Sequence, residues 1–438
     1  MIDAPIRAQA AAVADGTIKA TDLAQATRDR IAARDTILRS VVHRADPAAL
    51  DGPLHGVPFG VKDIIDVAGQ PTRCGSHAHA ETGPEATAVT RLRAAGMVPM
   101  AKLATYEYAL TGPAWDQPNP PARNPRNPEH ITGGSSSGSA AAVAGGLFRV
   151  ALGTDTGGSI RAPAAYCGIV GLKPTHGAVP EDGCFPLSPS LDVIGPLATT
   201  VEDAAVALEV MAPDTRAAQA LGQGIDGLHI GYARDWFAED PACAPEVLRA
   251  LDDTAALLSR LGARIELVSL PDYPQLEAAG TVILQYEAWQ VHRSRLAGRW
   301  DRYGVDARRN LVTGAVLTED HVARARAVAV AFRAAVDTHL ARHAALLTPT
   351  TLSPAPRFSD FEDGPVWTAM RTLPFNMSGH PAISVPCGFA DNGMPLGAQF
   401  VSAHGQEALL CRIAAAFESA CAATACRAMP ADPVVIGA

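Results

Sequence analysis

Apolar residues at helical spacing alternate along the chain with short apolar runs that suit β-strands. Alanine-rich helical spacing fills residues 5–45, whereas Gly and Pro divide residues 52–69 into the pattern of strand and turn. Further helices are predicted at 86–97, 140–146, 199–211, 244–262, through most of 275–343 and near 405–424. Further strands are predicted at 98–104, 147–155, 228–235, 344–350, 382–389 and 396–403. Because helices and strands alternate throughout, the sequence predicts an α/β fold.

Composition and charge narrow the classes of partner. The 438 residues are 48% hydrophobic and 18% charged, which is enough apolar material for a large folded core. Acidic residues outnumber basic ones by 45 to 36, so the formal net charge is −9. Since nucleic acids and anionic membranes do not attract an acidic protein, neither is expected as a partner. The lysines are few, which limits where lysine chemistry can occur: Lys19, Lys62, Lys102 and Lys173.

The same patterns indicate a soluble protein of the cytoplasm. The N-terminus lacks the continuous apolar segment of a signal peptide. The longest apolar run, near residues 140–153, is interrupted by Arg149 and is too short to span a bilayer. The eight cysteines include no CxxC pair, so neither a zinc cage nor a disulfide framework is expected.

Two loops rich in Gly and Ser, at 133–139 and 154–159, carry the candidate chemistry. Neither is followed by the GK[ST] of a phosphate-binding loop, and no GxGxxG opens a helix after a strand, so nucleotide binding is disfavoured. A serine that follows consecutive glycines can instead act as a nucleophile, with neighbouring N–H groups stabilising an oxyanion. With no histidine obvious in these loops, a buried lysine is the expected base.

Two other interpretations of these loops stay open. The loops could be turns without chemistry, although two of them flanking a helix and a strand are harder to dismiss than one. Residues 134–138 also match G-x-S-x-G, the nucleophile elbow of α/β-hydrolases, with Ser136 at the centre. That motif requires a strand immediately before it, and residues 124–132, NPRNPEHIT, make a poor strand.

Several linked stretches resemble the amidase signature family: GVPFGVKDIIDVAG, ITGGSSSGSAAAVAGG, GTDTGGSIRAPAAYCGIVGLKPTHG, SLDVIGPLATTVEDAA and PFNMSGHPAISVPCGF. The resemblance covers about residues 50–210 and 370–420. It implies one large domain, 1–438, with a mixed, twisted β-sheet covered by helices on both faces. The expected parts are N-terminal helices (1–50), the signature core (51–210), a variable and mostly helical selectivity region (211–345), and C-terminal strands and a helix that complete the core (346–438).

The resemblance further implies amide hydrolysis by a Ser–cisSer–Lys triad. Lys62 matches the family's lysine, Ser135 the serine whose peptide bond is cis, and Ser159 the nucleophile. The backbone N–H groups expected to form the oxyanion hole are those of Thr156, Gly157, Gly158 and Ser159.

Residues near these positions are given structural roles. Ser137 replaces a glycine of the family's usual GGSSGGS and adds a Cβ to that loop. Asp155 and Arg161 flank the nucleophile and are expected to form an ion pair that holds the loop. His77 and His79 form an HxH pair, for which a solvated loop is a better interpretation than a metal site.

The first functional hypothesis is an amidase that cleaves a carbon–nitrogen bond of a small apolar or aryl substrate through an acyl-enzyme. The bond is an amide, with an anilide or a carbamate as alternatives. The expected pocket residues are Tyr106, Leu110, Trp115, Tyr286 and Trp289, because aromatic residues in the least family-like segments suit an apolar group. The expected partners are the amide substrate and water, with no metal and no other cofactor, and a homodimer is left open.

The alternative within the same family is the glutaminase component of an aminoacyl-tRNA amidotransferase, its A subunit, which hands ammonia to a partner. The chain is shorter than that component is expected to be. A scaffold without catalysis is disfavoured, because all three triad positions are filled.

Overall fold

The computed structural model describes residues 1–45, 52–364 and 366–423. The strands are β1 (Val41–Arg44), β2 (Pro58–Lys62), β3 (Val98–Leu103), β4 (Val150–Thr154), β5 (Val170–Lys173), β6 (Ile194–Ala198), β7 (His229–Tyr232), β8 (Arg264–Leu267), β9 (Ala345–Pro349), β10 (Ala382–Phe389) and β11 (Pro395–Val401). They form one mixed sheet of eleven strands in the order β1-β3-β2-β4-β6-β5-β10-β11-β9-β7-β8.

The helices lie between and beside these strands. They are α1 (Ile6–Ala14), α2 (Ala20–Leu38), α3 (Thr87–Ala94), α4 (Ser137–Ala144), α5 (Arg161–Cys167), α6 (Val201–Met211), α7 (Asp235–Ala238), α8 (Pro245–Arg260), α9 (Tyr273–Arg299), α10 (Val305–Thr313), α11 (Glu319–Leu340), α12 (Leu373–Met377) and α13 (Glu407–Ala423). Among the helices of the described ranges, none combines the length and apolar character that a membrane span needs.

Helices cover both faces of the sheet. Successive side chains of a strand point to opposite faces. In β4, Val150 and Leu152 belong to a buried cluster with residues of α6, α8 and α13. Ala151, between them, belongs to a second buried cluster with residues of α2, α4 and α5. The predicted α/β class, with a mixed sheet flanked by helices, is therefore confirmed.

Some predicted elements need correction. The helical prediction for 5–45 fails at its end, because α2 stops at Leu38 and β1 follows. Arg39 adopts a left-handed conformation with φ 53°, and β1 then pairs antiparallel with β3. The β-branched pair Val41-Val42 suits this edge strand better than a helix. Strands β5, β6 and β8 lie where no strand was predicted. The predicted positions 46–50 and 424 lie outside the described residues.

The sheet brings two functional segments together. Strands β2 and β4 are parallel neighbours, with Gly60 opposite Ala151 and Val61 opposite Leu152. Their carboxyl ends therefore meet at the same edge, and these ends are Lys62 and Thr154. The loop that carries the predicted nucleophile begins immediately after Thr154, so the sheet register sets the distance between the lysine and this loop.

Candidate active site

A buried lysine lies at the carboxyl end of β2. The Nζ of Lys62 donates hydrogen bonds to the Oγ of Ser135 at 2.8 Å and to the Oγ1 of Thr154 at 2.7 Å. Its side chain is completely buried, and burial lowers the pKa of the Lys62 ammonium to about 7. A large share of Lys62 is therefore neutral near pH 7, and the neutral amine can accept a proton from Ser135.

The second serine is fixed by the backbone around it. The peptide bond between Gly134 and Ser135 is cis. The carbonyl of Ser135 accepts a hydrogen bond from the backbone N–H of Tyr106 at 3.1 Å. Helix α4 begins two residues later, at Ser137. Ser136, the centre of the alternative G-x-S-x-G motif, is completely buried, and its Oγ hydrogen-bonds the carbonyl of Thr154 at 3.2 Å.

The loop after β4 is held by a buried ion pair, as the sequence predicts. The Asp155 carboxylate accepts hydrogen bonds from the Arg161 guanidinium at 2.8 and 3.0 Å. Burial alone would raise the pKa of the Asp155 carboxyl, but the Arg161 guanidinium outweighs this effect and keeps that pKa below its usual range. Asn376 donates to the same carboxylate at 2.9 Å, which ties α12 to the loop.

One predicted oxyanion donor is already engaged. The backbone N–H of Gly158 donates to the Oδ1 of Asp155 at 2.8 Å, so it holds the turn and is not free for a ligand. The loop is anchored at two further points. Thr372 Oγ1 donates to the carbonyl of Gly157 at 2.6 Å, and Thr156 Oγ1 donates to Asp192 at 2.6 Å. In this structure the Gly158 N–H therefore supports the turn, and the other predicted donors are those of Thr156, Gly157 and Ser159.

These loops open into a cavity of about 980 Å³. Its wall includes Ser135, Ser159 and the glycines between Thr156 and Ser159. Ser159 is half-buried, whereas Ser135 is 2% exposed, so the predicted nucleophile is the more accessible of the two serines. The buried side chains of the wall, apart from the loops, are Tyr106, Ala109, Leu110, Ile131, Ala162, Tyr166, Leu187, Met370 and Leu373.

The predicted aromatic pocket is only partly placed there. Tyr106 and Leu110 lie in the cavity wall, but Trp115, Tyr286 and Trp289 lie outside its lining. Trp115 is 54% exposed and contacts Phe358 edge to face. Tyr286 and Trp289 lie on the long helix α9, but other residues of α9 line the cavity. Trp289 packs against the hydrophobic core, next to Gly314.

Sequence reasoning missed several wall residues. Met370 and Leu373 come from the segment before and within α12, and Trp367 is half-exposed at the cavity. Thr154, the second partner of Lys62, was also missed as a contact of the lysine, although its place at the start of the loop 154–159 was a usable signal. The contribution of 366–373 depends on long-range packing, for which the sequence offers no local signal.

The two histidines of the HxH pair lie in different environments. His77 is exposed, whereas His79 is 6% exposed and contacts the rings of Tyr108 and Phe185 edge to face. Burial lowers the pKa of His79, so the ring is a neutral core residue near pH 7. The prediction of a solvated loop is wrong for His79, because the chain at 77–79 places alternate side chains on opposite sides.

Comparisons with known proteins give the family of the chain. The family model described as Amidase matches residues 38–411. The A subunit of glutamyl-tRNA(Gln) amidotransferase from Exiguobacterium sibiricum is 36% identical, covering 93% of this chain and 95% of that relative. A solved amidase superposes with a TM-score of 0.86 at 32% identity, covering 95% of this chain and 99% of that structure.

The solved A subunit of the Thermotoga maritima glutamyl-tRNA(Gln) amidotransferase superposes less closely. Its TM-score is 0.77 at 30% identity, with 91% of each chain covered. The family match spans most of the chain and includes the segments that carry Lys62, Ser135 and Ser159. The chain thus belongs to the amidase signature family, and it is an amide hydrolase.

Proposed function

We propose that the chain hydrolyses a carboxamide through a triad of Lys62, Ser135 and Ser159. The observation that carries the proposal is the 2.8 Å hydrogen bond from Lys62 Nζ to Ser135 Oγ, beside a cavity that Ser159 also lines. Because the pKa of Lys62 is about 7, its neutral amine can act as the base. A base with a pKa near the working pH is the most effective general catalyst.

The proton moves along the triad in both steps. Neutral Lys62 takes the Ser135 proton while Ser135 takes the Ser159 proton, and the Ser159 Oγ attacks the carbonyl carbon. The carbon–nitrogen bond then breaks, and the amine leaves with the proton that the relay returns. Water attacks the resulting ester by the same relay, which releases the carboxylic acid and restores Ser159.

Backbone donors near Ser159 stabilise the negative oxygen of the tetrahedral intermediate. Thr156, Gly157 and Ser159 remain candidates, since the Gly158 N–H is bonded to Asp155. The anchored loop keeps such donors in place before the substrate arrives, which is the condition for strong electrostatic stabilisation.

The substrate we propose is a small amide with an apolar or aryl acyl group. Among the described residues, the buried side chains of the cavity wall include no charged group. A buried charge on a ligand would therefore have no partner there, and burying an unpaired charge is costly. Anilides and carbamates would fit the same site, because they offer the same carbonyl to Ser159.

A second candidate is the glutaminase component of an amidotransferase, working with partner chains. The curated relatives favour this candidate over a stand-alone amidase, because relatives at 36% and 34% identity carry the name of that component. Glu277, Asp306 and Arg309 are charged, partly or fully exposed residues of the cavity wall that could pair with the charged groups of glutamine. The closer superposition on the solved amidase favours the first candidate.

The triad is tested by exposure to a fluorophosphonate, followed by intact-mass analysis and peptide mapping. We expect one adduct, on Ser159, and none in the Ser159→Ala variant. The matched control is Ser136→Ala, which should keep both the adduct and the activity, with folding checked by circular dichroism. An adduct on Ser136 would overturn the assignment in favour of the α/β-hydrolase interpretation.

Assays of ammonia release from benzamide and from glutamine distinguish the two candidate functions. The first assay uses the purified chain alone. Turnover of benzamide without partner chains supports the stand-alone amidase. Turnover of glutamine that appears only after adding the other chains of an amidotransferase supports the second candidate and excludes the first.

A further inference from the structure

Three ligating side chains from three separate elements meet away from the triad. Asp337 lies in α11, His380 precedes β10, and His404 lies between β11 and α13. Asp337 Oδ1, one ring nitrogen of His380 and one of His404 all lie within 4.8 Å of one another. The Asp337 oxygen is 3.0 Å from His380 Nε2 and 3.8 Å from His404 Nδ1.

A single residue orients both imidazole rings. Ser378 Oγ lies 3.0 Å from His380 Nδ1, and the Ser378 carbonyl oxygen lies 3.0 Å from His404 Nε2. A carbonyl oxygen can only accept, so His404 carries its proton on Nε2 and turns the lone pair of Nδ1 toward Asp337. Histidines that bind metals are held in this way, with the outer nitrogen bonded to a carbonyl or another fixed group.

The two imidazole rings lie side by side, with their centroids 4.0 Å apart. The second carboxylate oxygen of Asp337 lies 4.0 Å from Arg333 Nε, which leaves Oδ1 directed at the histidines.

We propose that Asp337, His380 and His404 bind a divalent transition metal of the zinc type. Two imidazole nitrogens and one carboxylate oxygen are a common ligand set for such ions. In a tetrahedral site with bonds of about 2.0–2.1 Å, ligand atoms are roughly 3.3 Å apart, and the distances of 3.0 and 3.8 Å lie on either side of this value. His380 would then hold its proton on Nδ1 and donate it to Ser378.

Solvent supplies the remaining coordination. The Asp337 side chain is 51% exposed and that of His404 is 26% exposed, whereas His380 is completely buried. Water can therefore reach the outer side of the site while the inner side is fixed by protein.

The expected role of the metal is structural. His380 is four residues beyond Asn376, which bonds the Asp155 carboxylate of the nucleophile loop. A metal here would join α11, the segment 376–380 and the segment before α13. The metal takes no part in the chemistry of Lys62, Ser135 and Ser159. The proposed metal site and the proposed amide hydrolysis can therefore be disproved independently of each other.

The test is titration of the full chain with Zn²⁺ alone in equilibrium dialysis, and with Co²⁺ monitored by its visible absorption. We expect one equivalent of either metal and a Tm that rises with the Zn²⁺ concentration. Asp337→Asn and His404→Gln should each raise the Kd about tenfold or more. Ser378→Ala, which removes only the hydroxyl that holds His380, should raise it about 10–100-fold.

The matched control is His229→Gln. His229 is also a partly exposed histidine hydrogen-bonded to a carboxylate, Glu266, at 2.6 Å, but it lies outside the proposed site. This variant should keep the affinity of the parent chain. Absence of stoichiometric binding in the folded parent would overturn the proposal, as would binding that survives in both Asp337→Asn and His404→Gln.

Discussion

The Asp155 carboxylate and the Arg161 guanidinium form a doubly hydrogen-bonded pair in which both side chains are fully buried. The pair closes the loop that carries Ser159, because the same carboxylate also accepts from the Gly158 N–H at 2.8 Å. Arg161 extends the connection to the C-terminal part of the sheet through Gln399 at 2.7 Å. The geometry of the loop that carries Ser159, the proposed nucleophile, therefore depends on a contact with a residue far along the chain.

Arg161→Gln should destabilise the protein by about 3–5 kcal/mol, because it leaves the buried Asp155 charge without its partner. The free energy of unfolding in urea measures this effect. The control is Arg249→Gln, whose partner Asp391 is 3.9 Å away in a pair that is 60% and 92% exposed. That change should cost at most about 1 kcal/mol. Equal losses in the two variants would contradict the role assigned to the buried pair.

The pH dependence of kcat/KM should follow the deprotonation of Lys62. The pKa of Lys62 is about 7 and the neutral amine is the base, so activity should rise with pH through about 7 and then level off. Below that pH, kcat/KM should fall about tenfold per pH unit, since one proton blocks the base. Stopped assays of ammonia release across this pH range give the profile.

Lys173 provides the control for that assignment. Burial also lowers its pKa to about 7, and its Nζ donates to the carbonyl of Pro174 at 2.9 Å, without a bond to either serine. Lys173→Met should therefore keep the inflection near pH 7, whereas Lys62→Met should abolish activity in a folded protein. If the inflection disappears in Lys173→Met, the titration belongs to Lys173 and not to the proposed base.

Gly158→Ala should lower kcat by about 10²–10³, because it shifts the loop that holds the neighbouring candidate oxyanion donors, Gly157 and Ser159. Gly158 has a φ of +136°, and a Cβ there would lie 2.3 Å from Thr372 Oγ1, which anchors the loop. Steady-state kinetics on one amide measures the loss. Gly298→Ala is the control, since a Cβ at this helical glycine meets nothing within 4 Å and should not impair activity. Wild-type kcat in Gly158→Ala would show that the loop tolerates the shift.

The parts of the site that local sequence defines were predictable. Each Gly- and Ser-rich loop is a continuous stretch of sequence, whereas Lys62 lies far before both. The parallel pairing of β2 with β4 brings Lys62 next to the second loop. The ion pair of Asp155 with Arg161 is also local, because its members are six positions apart. Spacing is sufficient for the ion pair, because a short loop constrains where its side chains can lie. The roles of Lys62, Ser135 and Ser159 were instead implied by the resemblance to the amidase signature family.

The remaining wall of the cavity depends on tertiary packing. Met370 and Leu373 lie in the segment whose Thr372 and Asn376 donate hydrogen bonds to the loop that carries Ser159, and this long-range contact places them at the cavity. Trp115, Tyr286 and Trp289 were expected in the pocket for their aromatic character, which does not determine where a helix or loop directs them. Aromatic residues also fill protein cores, so side-chain type alone does not separate a core position from a pocket position.

Trp367 offers the sharpest test of an apolar substrate. It is a large apolar residue of the cavity wall, 50% exposed, and its Nε1 donates to Glu277 at 2.8 Å. Trp367→Ala should raise KM for benzamide about tenfold, or roughly 1.4 kcal/mol of binding free energy, and leave kcat nearly unchanged. For acetamide, which is too small to fill the wall, the change should be less than about twofold.

The comparison of the two amides excludes a general loss of structure, because misfolding would reduce the turnover of both. Trp300→Ala supplies a second control, since Trp300 is 46% exposed and lies outside the cavity lining. It should leave both KM values unchanged. If Trp367→Ala instead lowers kcat/KM equally for benzamide and acetamide, the tryptophan supports the fold of the segment and does not bind the acyl group. In that case glutamine, bound by the charged residues of the cavity wall, becomes the better candidate substrate.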